Sequence, residues 1–100
     1  MRLVELEPQF IRAREQDNRG IALVHVDDLA NAQGIRFDCP KGEGHWVVVW
    51  FAERGVPAHQ SPDWNVSGTG YDDLTLSPSV DCTGDGGCKW HGFVTLGEIT

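Results

Sequence analysis

The sequence has no apolar run approaching the 18 or so residues that a transmembrane helix needs, so a bilayer-spanning helix is excluded. No cleavable leader is expected either, because Glu5 and Glu7 interrupt the N-terminus before any hydrophobic stretch forms. Basic side chains are scarce, 8 Lys and Arg against 15 Asp and Glu, and the formal charge of -7 repels phosphate backbones. Direct nucleic-acid binding and membrane association are therefore not expected. Cysteine is limited to Cys39, Cys82 and Cys88, an odd number that suits no closed disulfide framework. Reduced thiols in a cytosol are the expectation. Repeats, linkers and low-complexity segments are missing as well. At 100 residues, one domain over 1–100 is expected.

What is present is turn formers and bulky aromatics. Gly (12) and Pro (5) punctuate the chain, while four Trp and four Phe supply core material. Arg2 to Glu7 reads as an edge strand ended by Pro8. Phe10 to Gln16 reads as one or two helical turns. Ile21 to Val26 is β-branched and apolar, as a core strand would be. Asp27-Asp28 offers an N-cap to a short helix, Leu29 to Gln33, with Gly34 as its left-handed stop. Ile35 to Phe37 is a short strand leading to Cys39. Trp46 to Phe51 is the strongest strand, and its continuous Val47, Val48, Val49 and Trp50 predict burial on both faces. Extended structure resumes at Trp64 to Val66, turns through Ser67 to Gly70 and returns at Leu74 to Leu76, limited by Pro78. A Gly-rich loop runs from Asp81 to Gly87, and Phe93 to Ile99 closes as a hairpin about Gly97-Glu98. The fold class expected is mainly β, a β-rich α+β antiparallel sheet with one short helix.

The chemistry-bearing residues gather in two short motifs. Cys39 and His45 flank a Gly-containing turn between two strands, and Cys88-Lys89-Trp90-His91 places two more metal-compatible ligands at knuckle spacing. Zinc takes four such groups tetrahedrally. A structural zinc-ribbon-like site of Cys39, His45, Cys88 and His91 is therefore expected, with Cys82 as the alternative ligand and no catalytic residues assigned. Thiolate and imidazole also bind iron, so Fe or a [2Fe-2S] cluster is the alternative cofactor. Against these stands the plain reading that the cysteines are small buried hydrophobes and the histidines cap strand ends.

The stretches Phe37-Asp38-Cys39-Pro40, Gly44-His45-Trp46-Val47, Ser67-Gly68-Thr69-Gly70, Asp72 to Ser79 and Gly87-Cys88-Lys89-Trp90-His91-Gly92-Phe93 occur in a specific order. In that order the chain resembles an uncharacterised family of small bacteriophage and prophage proteins, over about residues 21–100. The resemblance implies a life in the host cytoplasm and a protein partner of phage or bacterial host, but no reaction. Many of that family's members carry a second cysteine where this chain has Gly42, which leaves His45 and Cys82 competing for the vacant ligand position.

Other readings compete. Cys88 to Phe93 is similar to the second loop of a Rieske domain, although five residues separate Cys39 from His45 where a Rieske loop has one. A small zinc hydrolase would need an open coordination position and a base such as Asp38, Glu43 or Asp81. A nucleophile pair of Cys88 with His45 or His91 lacks an accompanying oxyanion-hole signature. An acidic inhibitor of a host nucleic-acid-handling complex would use the negative surface as a mimic, yet the carboxylates are scattered as on any soluble domain. The function expected from sequence is a structural metal protein acting through protein–protein contacts, more a binding module than an enzyme.

Overall fold

The computed structural model describes residues 1–16, 20–42, 44–57, 62–81 and 90–100. A four-stranded antiparallel sheet forms the scaffold, in the order β2-β1-β3-β4, from β1 (Gln9–Gln16), β2 (Gly20–Val26), β3 (Gly34–Asp38) and β4 (Trp46–Trp50). Three short antiparallel pairs follow. They join β5 (Asn65–Ser67) to β6 (Thr75–Ser77), β7 (Val80–Asp81) to β8 (His91–Gly92), and β9 (Val94–Thr95) to β10 (Glu98–Ile99).

The mainly β expectation holds, but the helical details do not. Phe10 to Gln16 lies within a strand, although Arg12, Ala13, Arg14 and Glu15 are helix formers. β1 pairs on both edges, with β2 from Phe10↔Val26 to Gln16↔Gly20 and with β3 from Gln9↔Arg36 to Ile11↔Gly34. Those ladders and the burial of Phe10 and Ile11 override local propensity. The short helix after Asp28 is a single 3-10 turn, Leu29–Asn31, capped by the Asp28 carboxylate accepting from the Asn31 amide at 3.0 Å. Instead of an edge strand, the N-terminus forms a 3-10 turn, Leu3–Leu6, that buries Leu3 and Leu6.

Gly34 is an extended residue of β3 rather than a helix stop. A Cβ there would meet the Val49 carbonyl and lie 2.8 Å from the Trp50 ring, so the glycine makes room for that indole. Ile11, Gly34 and Trp50 stand in one row across β1, β3 and β4. This row is where the second face of the sheet is closed. Further along β4, Trp46 and Val48 are exposed, so the expected burial of this strand on both faces holds only at its Trp50 end.

The main core lies on the other face. Phe10, Ile35, Phe37, Val47 and Val49 pack there with Leu3 and Leu6, and with Phe51, Leu74, Leu76, Val80, Trp90, Val94 and Ile99 from the rest of the chain. Gln33, a buried polar side chain, is hydrogen-bonded through both its oxygen and its nitrogen. It accepts from the Ala13 amide at 2.8 Å and donates to the Arg54 carbonyl at 3.0 Å. Tyr71 stacks on Phe10 with ring centroids 4.3 Å apart and accepts the Phe10 amide at 2.9 Å. Burial raises its phenol above the ordinary pKa.

The chain start is tied to the closing hairpin. Leu3 donates to the Gly97 carbonyl at 2.8 Å, and Ile99 donates to the Met1 carbonyl at 2.7 Å. The hairpin turns at Leu96-Gly97, one residue earlier than expected. Both residues have positive φ (49° and 78°), as a two-residue hairpin turn of the primed type requires.

Candidate functional site: a serine–histidine pair on a short strand ladder

β7 and β8 pair Val80 with Gly92 and Asp81 with His91. Alternation along both strands turns Val80 and Gly92 inward and Asp81 and His91 outward. Ser79, one residue before β7, shares the outward side of Asp81 and is half-buried. Its Oγ lies 3.0 Å from Nε2 of His91, a diagonal cross-strand contact. Phe93 exchanges both backbone hydrogen bonds with Thr100, its amide donating at 3.2 Å and its carbonyl accepting at 3.0 Å. With Phe93 bonded towards Thr100, the backbone of Gly92 faces β7. Asp81 and His91 are then a non-hydrogen-bonded pair, the kind whose side chains stand closest, with Cα atoms about 4.5 Å apart.

The ladder is fixed from below. Trp90, buried next to His91 in sequence, meets Phe37 of β3 edge-on at 5.9 Å between centroids. Gly92 passes so close to the C-terminus that a Cβ would strike the Thr100 carbonyl and approach the Trp90 ring to 2.9 Å. The Trp64 indole donates to the Ser79 carbonyl at 3.3 Å, anchoring the backbone of the serine and leaving its hydroxyl to the imidazole.

A serine hydroxyl against an imidazole nitrogen is the nucleophile and general-base arrangement of serine hydrolases. In that role Nε2 accepts from the hydroxyl, which places the ring proton on Nδ1. The chain belongs to the BubE family, described as bacterial ubiquitination-like system serine protease, whose model matches residues 9–100. No curated protein and no solved structure matches the chain.

This family assignment overturns the expectation of a phage-type structural zinc protein acting only by protein contact. His91, expected as a metal ligand, has its Nε2 engaged by Ser79. Cys39 and His45 do meet across their turn, where the Cys39 amide donates to the His45 carbonyl at 3.0 Å. Cys39 is buried, and Nε2 of His45 is buried without a hydrogen-bond partner. Cys82 and Cys88 lie outside the described residues, as do Glu43 and the whole Gly-rich loop after Asp81. Among the described residues, no group of three or more His, Cys, Asp or Glu side chains converges as a metal site would require. No helix among them is long and apolar enough to cross a membrane.

An imidazole–carboxylate pair elsewhere, His25 and Asp27 at 3.3 Å, borders an open depression lined also by Arg12, Val26, Asp28 and Asn31. Arg12 is held there by the Asn31 carbonyl at 2.6 Å, and Asp28 by its cap. That lining includes no serine, threonine or cysteine nucleophile.

Sequence reasoning missed Ser79. The signal was there in the alternation of Ser79-Val80-Asp81 and Trp90-His91-Gly92-Phe93 on either side of a Gly-rich stretch. Read as two pairing strands, these segments put Ser79, Asp81 and His91 on one face.

Proposed function

We propose that Ser79 is the nucleophile and His91 the general base of a serine peptidase acting on protein substrates of a bacterial ubiquitination-like system. The 3.0 Å contact between Ser79 Oγ and His91 Nε2 carries this reading, and the family description supplies the substrate context. In the proposed reaction, Ser79 Oγ attacks the scissile carbonyl while its proton passes to Nε2. Collapse of the tetrahedral adduct breaks the C–N bond, and His91 returns the proton to the leaving amine. Water then adds to the acyl-serine ester as His91 takes its proton. Collapse of this second adduct breaks the ester C–O bond while His91 returns the proton to Ser79 Oγ, releasing the carboxylic acid and restoring the serine. Asp81, directly opposite His91 in the ladder, offers a negative charge to the imidazolium formed in each step.

The test is covalent labelling with a fluorophosphonate, together with hydrolysis of a ubiquitin-like protein carrying a C-terminal extension. Wild-type protein is expected to be labelled at Ser79. Ser79→Ala and His91→Ala should each lower hydrolysis by about a thousandfold or more. Absence of label on the wild type, or label persisting in Ser79→Ala, would overturn the assignment.

A further inference from the structure

Next to the serine–histidine pair stands a large apolar side chain that the fold leaves uncovered. From Trp90 to Thr95 the chain alternates strictly, with Trp90, Gly92 and Val94 buried and His91, Phe93 and Thr95 exposed. Phe93 is 55% exposed, although its neighbours in sequence are packed. Its backbone is held at both polar groups by Thr100, so the ring is presented from a fixed point rather than from a loose loop. Extending the β7–β8 register by one pair sets Phe93 directly opposite Ser79, as Asp81 is opposite His91.

Position then assigns a side of the reaction. The leaving group must lie against His91, because His91 protonates it. The acyl part of the substrate therefore projects away from His91, towards the end of the ladder where Phe93 stands opposite Ser79. We infer that Phe93 forms the apolar wall of the acyl-side subsite, selecting a polypeptide with an apolar side chain immediately before the scissile bond. This rests on the peptidase reading of Ser79 and His91. An aliphatic side chain laid on the phenyl ring removes apolar area from water on both partners, whereas a carboxylate there loses hydration and gains no partner.

The experiment compares aryl esters of N-acylated Leu, Ala and Asp, activated substrates whose amino acid occupies the acyl side. Wild-type protein is expected to favour Leu over Asp by about tenfold or more in kcat/KM. Phe93→Ser should abolish that preference and Phe93→Leu should keep most of it. Fluorophosphonate labelling of Ser79 in both variants, with a reagent too small to reach the ring, reports that fold and nucleophile are intact. A Leu preference that survives in Phe93→Ser, a uniform loss across all three esters, or no preference in the wild type would overturn the inference. Failure of the wild type to label at Ser79 would instead overturn the peptidase reading, so the two failures are distinguishable.

Discussion

The four-stranded sheet and the C-terminal ladders solve the same problem at different scales. β1 to β4 are five to eight residues long and pair over extended registers, such as Gly34↔Trp50 through Asp38↔Trp46. The pairs that follow use strands of two or three residues, too short to be stable alone, and hold their places through contacts with distant parts of the chain. Trp90 leans on Phe37, Gly97 receives Leu3 and donates to the Leu74 carbonyl, and Phe93 is locked to Thr100. The scaffold derives its order from repetition and the Ser79–His91 ladder derives its order from anchorage. An outward-facing pair such as Ser79 and His91 adds little to the core, so its geometry depends on whatever holds the short strands.

The sharpest way to break the comparison is at the joint between the two regions. Phe37 is fully buried, pairs with Val47 in the sheet and meets Trp90 beneath the ladder. Phe37→Ala is expected to cost about 3–5 kcal/mol, measured by chemical denaturation. If scaffold and ladder form one cooperative unit, fluorescence and hydrogen exchange at His91 and Gly92 will report the same transition as exchange in β3 and β4. Separate transitions would mean that the ladder melts on its own.

A smaller effect separates anchorage from core packing. Gly92→Ala adds a single methyl group where the Thr100 carbonyl and the Trp90 ring already stand. The expected destabilisation is about 1–3 kcal/mol, as for overpacking elsewhere. Because the adjustment falls between His91 and Phe93, turnover should decline more than stability does. A variant with wild-type kcat/KM and reduced stability would show that the pair tolerates movement of its strand.

The same contrast explains what could be read from the sequence. Periodic hydrophobicity identified the strands around Ile21 to Val26, Ile35 to Phe37, Trp46 to Phe51 and Leu74 to Leu76, because each repeats along its own backbone. It misread Phe10 to Gln16, whose strand identity comes from two neighbours rather than from its helix-forming residues. It also explained Gly34 by a cap, when the reason for the glycine is an indole arriving from β4, 16 positions later. At the site, His91 stands out for its spacing from Cys88, whereas the alternation of Ser79, Val80 and Asp81 points to a shared face with His91 only once the two segments are read as pairing strands. Only the cross-strand register brings these two together, and register is a non-local property.

On the scaffold side, Trp46 offers a weak test. It is exposed at the start of β4, with the Arg36 guanidinium 3.7 Å from its ring centroid and Arg36 also donating to Gln9 at 2.7 Å. Trp46→Ala should cost no more than about 0.5–1 kcal/mol, the scale of an exposed cation–π contact, and leave turnover unchanged. A larger loss of activity would mean that the outer face of the sheet, and not only its core face, supports the site.

The smallest effect expected is electrostatic and lies in the turn that leads into β6. Asp73 accepts the amides of Thr69 and Gly70 on one carboxylate oxygen and the Thr69 hydroxyl on the other, each at 2.9 Å. These bonds favour the ionised form and hold its pKa below the usual carboxylate value, the Thr69 amide contributing most. A depressed folded-state pKa means that the stabilisation is fully present above the ordinary value of 3.8 and is lost as pH falls through the lower folded value. Asp73→Asn keeps the shape and removes the charge. Its stability deficit relative to wild type should therefore be constant from neutrality down to mildly acid pH and close only in stronger acid. A deficit unchanged across the whole range would trace the effect to geometry, since Gly68 already packs so tightly on Asp73 that a Cβ would sit 2.6 Å from its carbonyl oxygen. In that case the turn would belong with the anchoring contacts that hold the Ser79–His91 ladder, and charge would have no part in it.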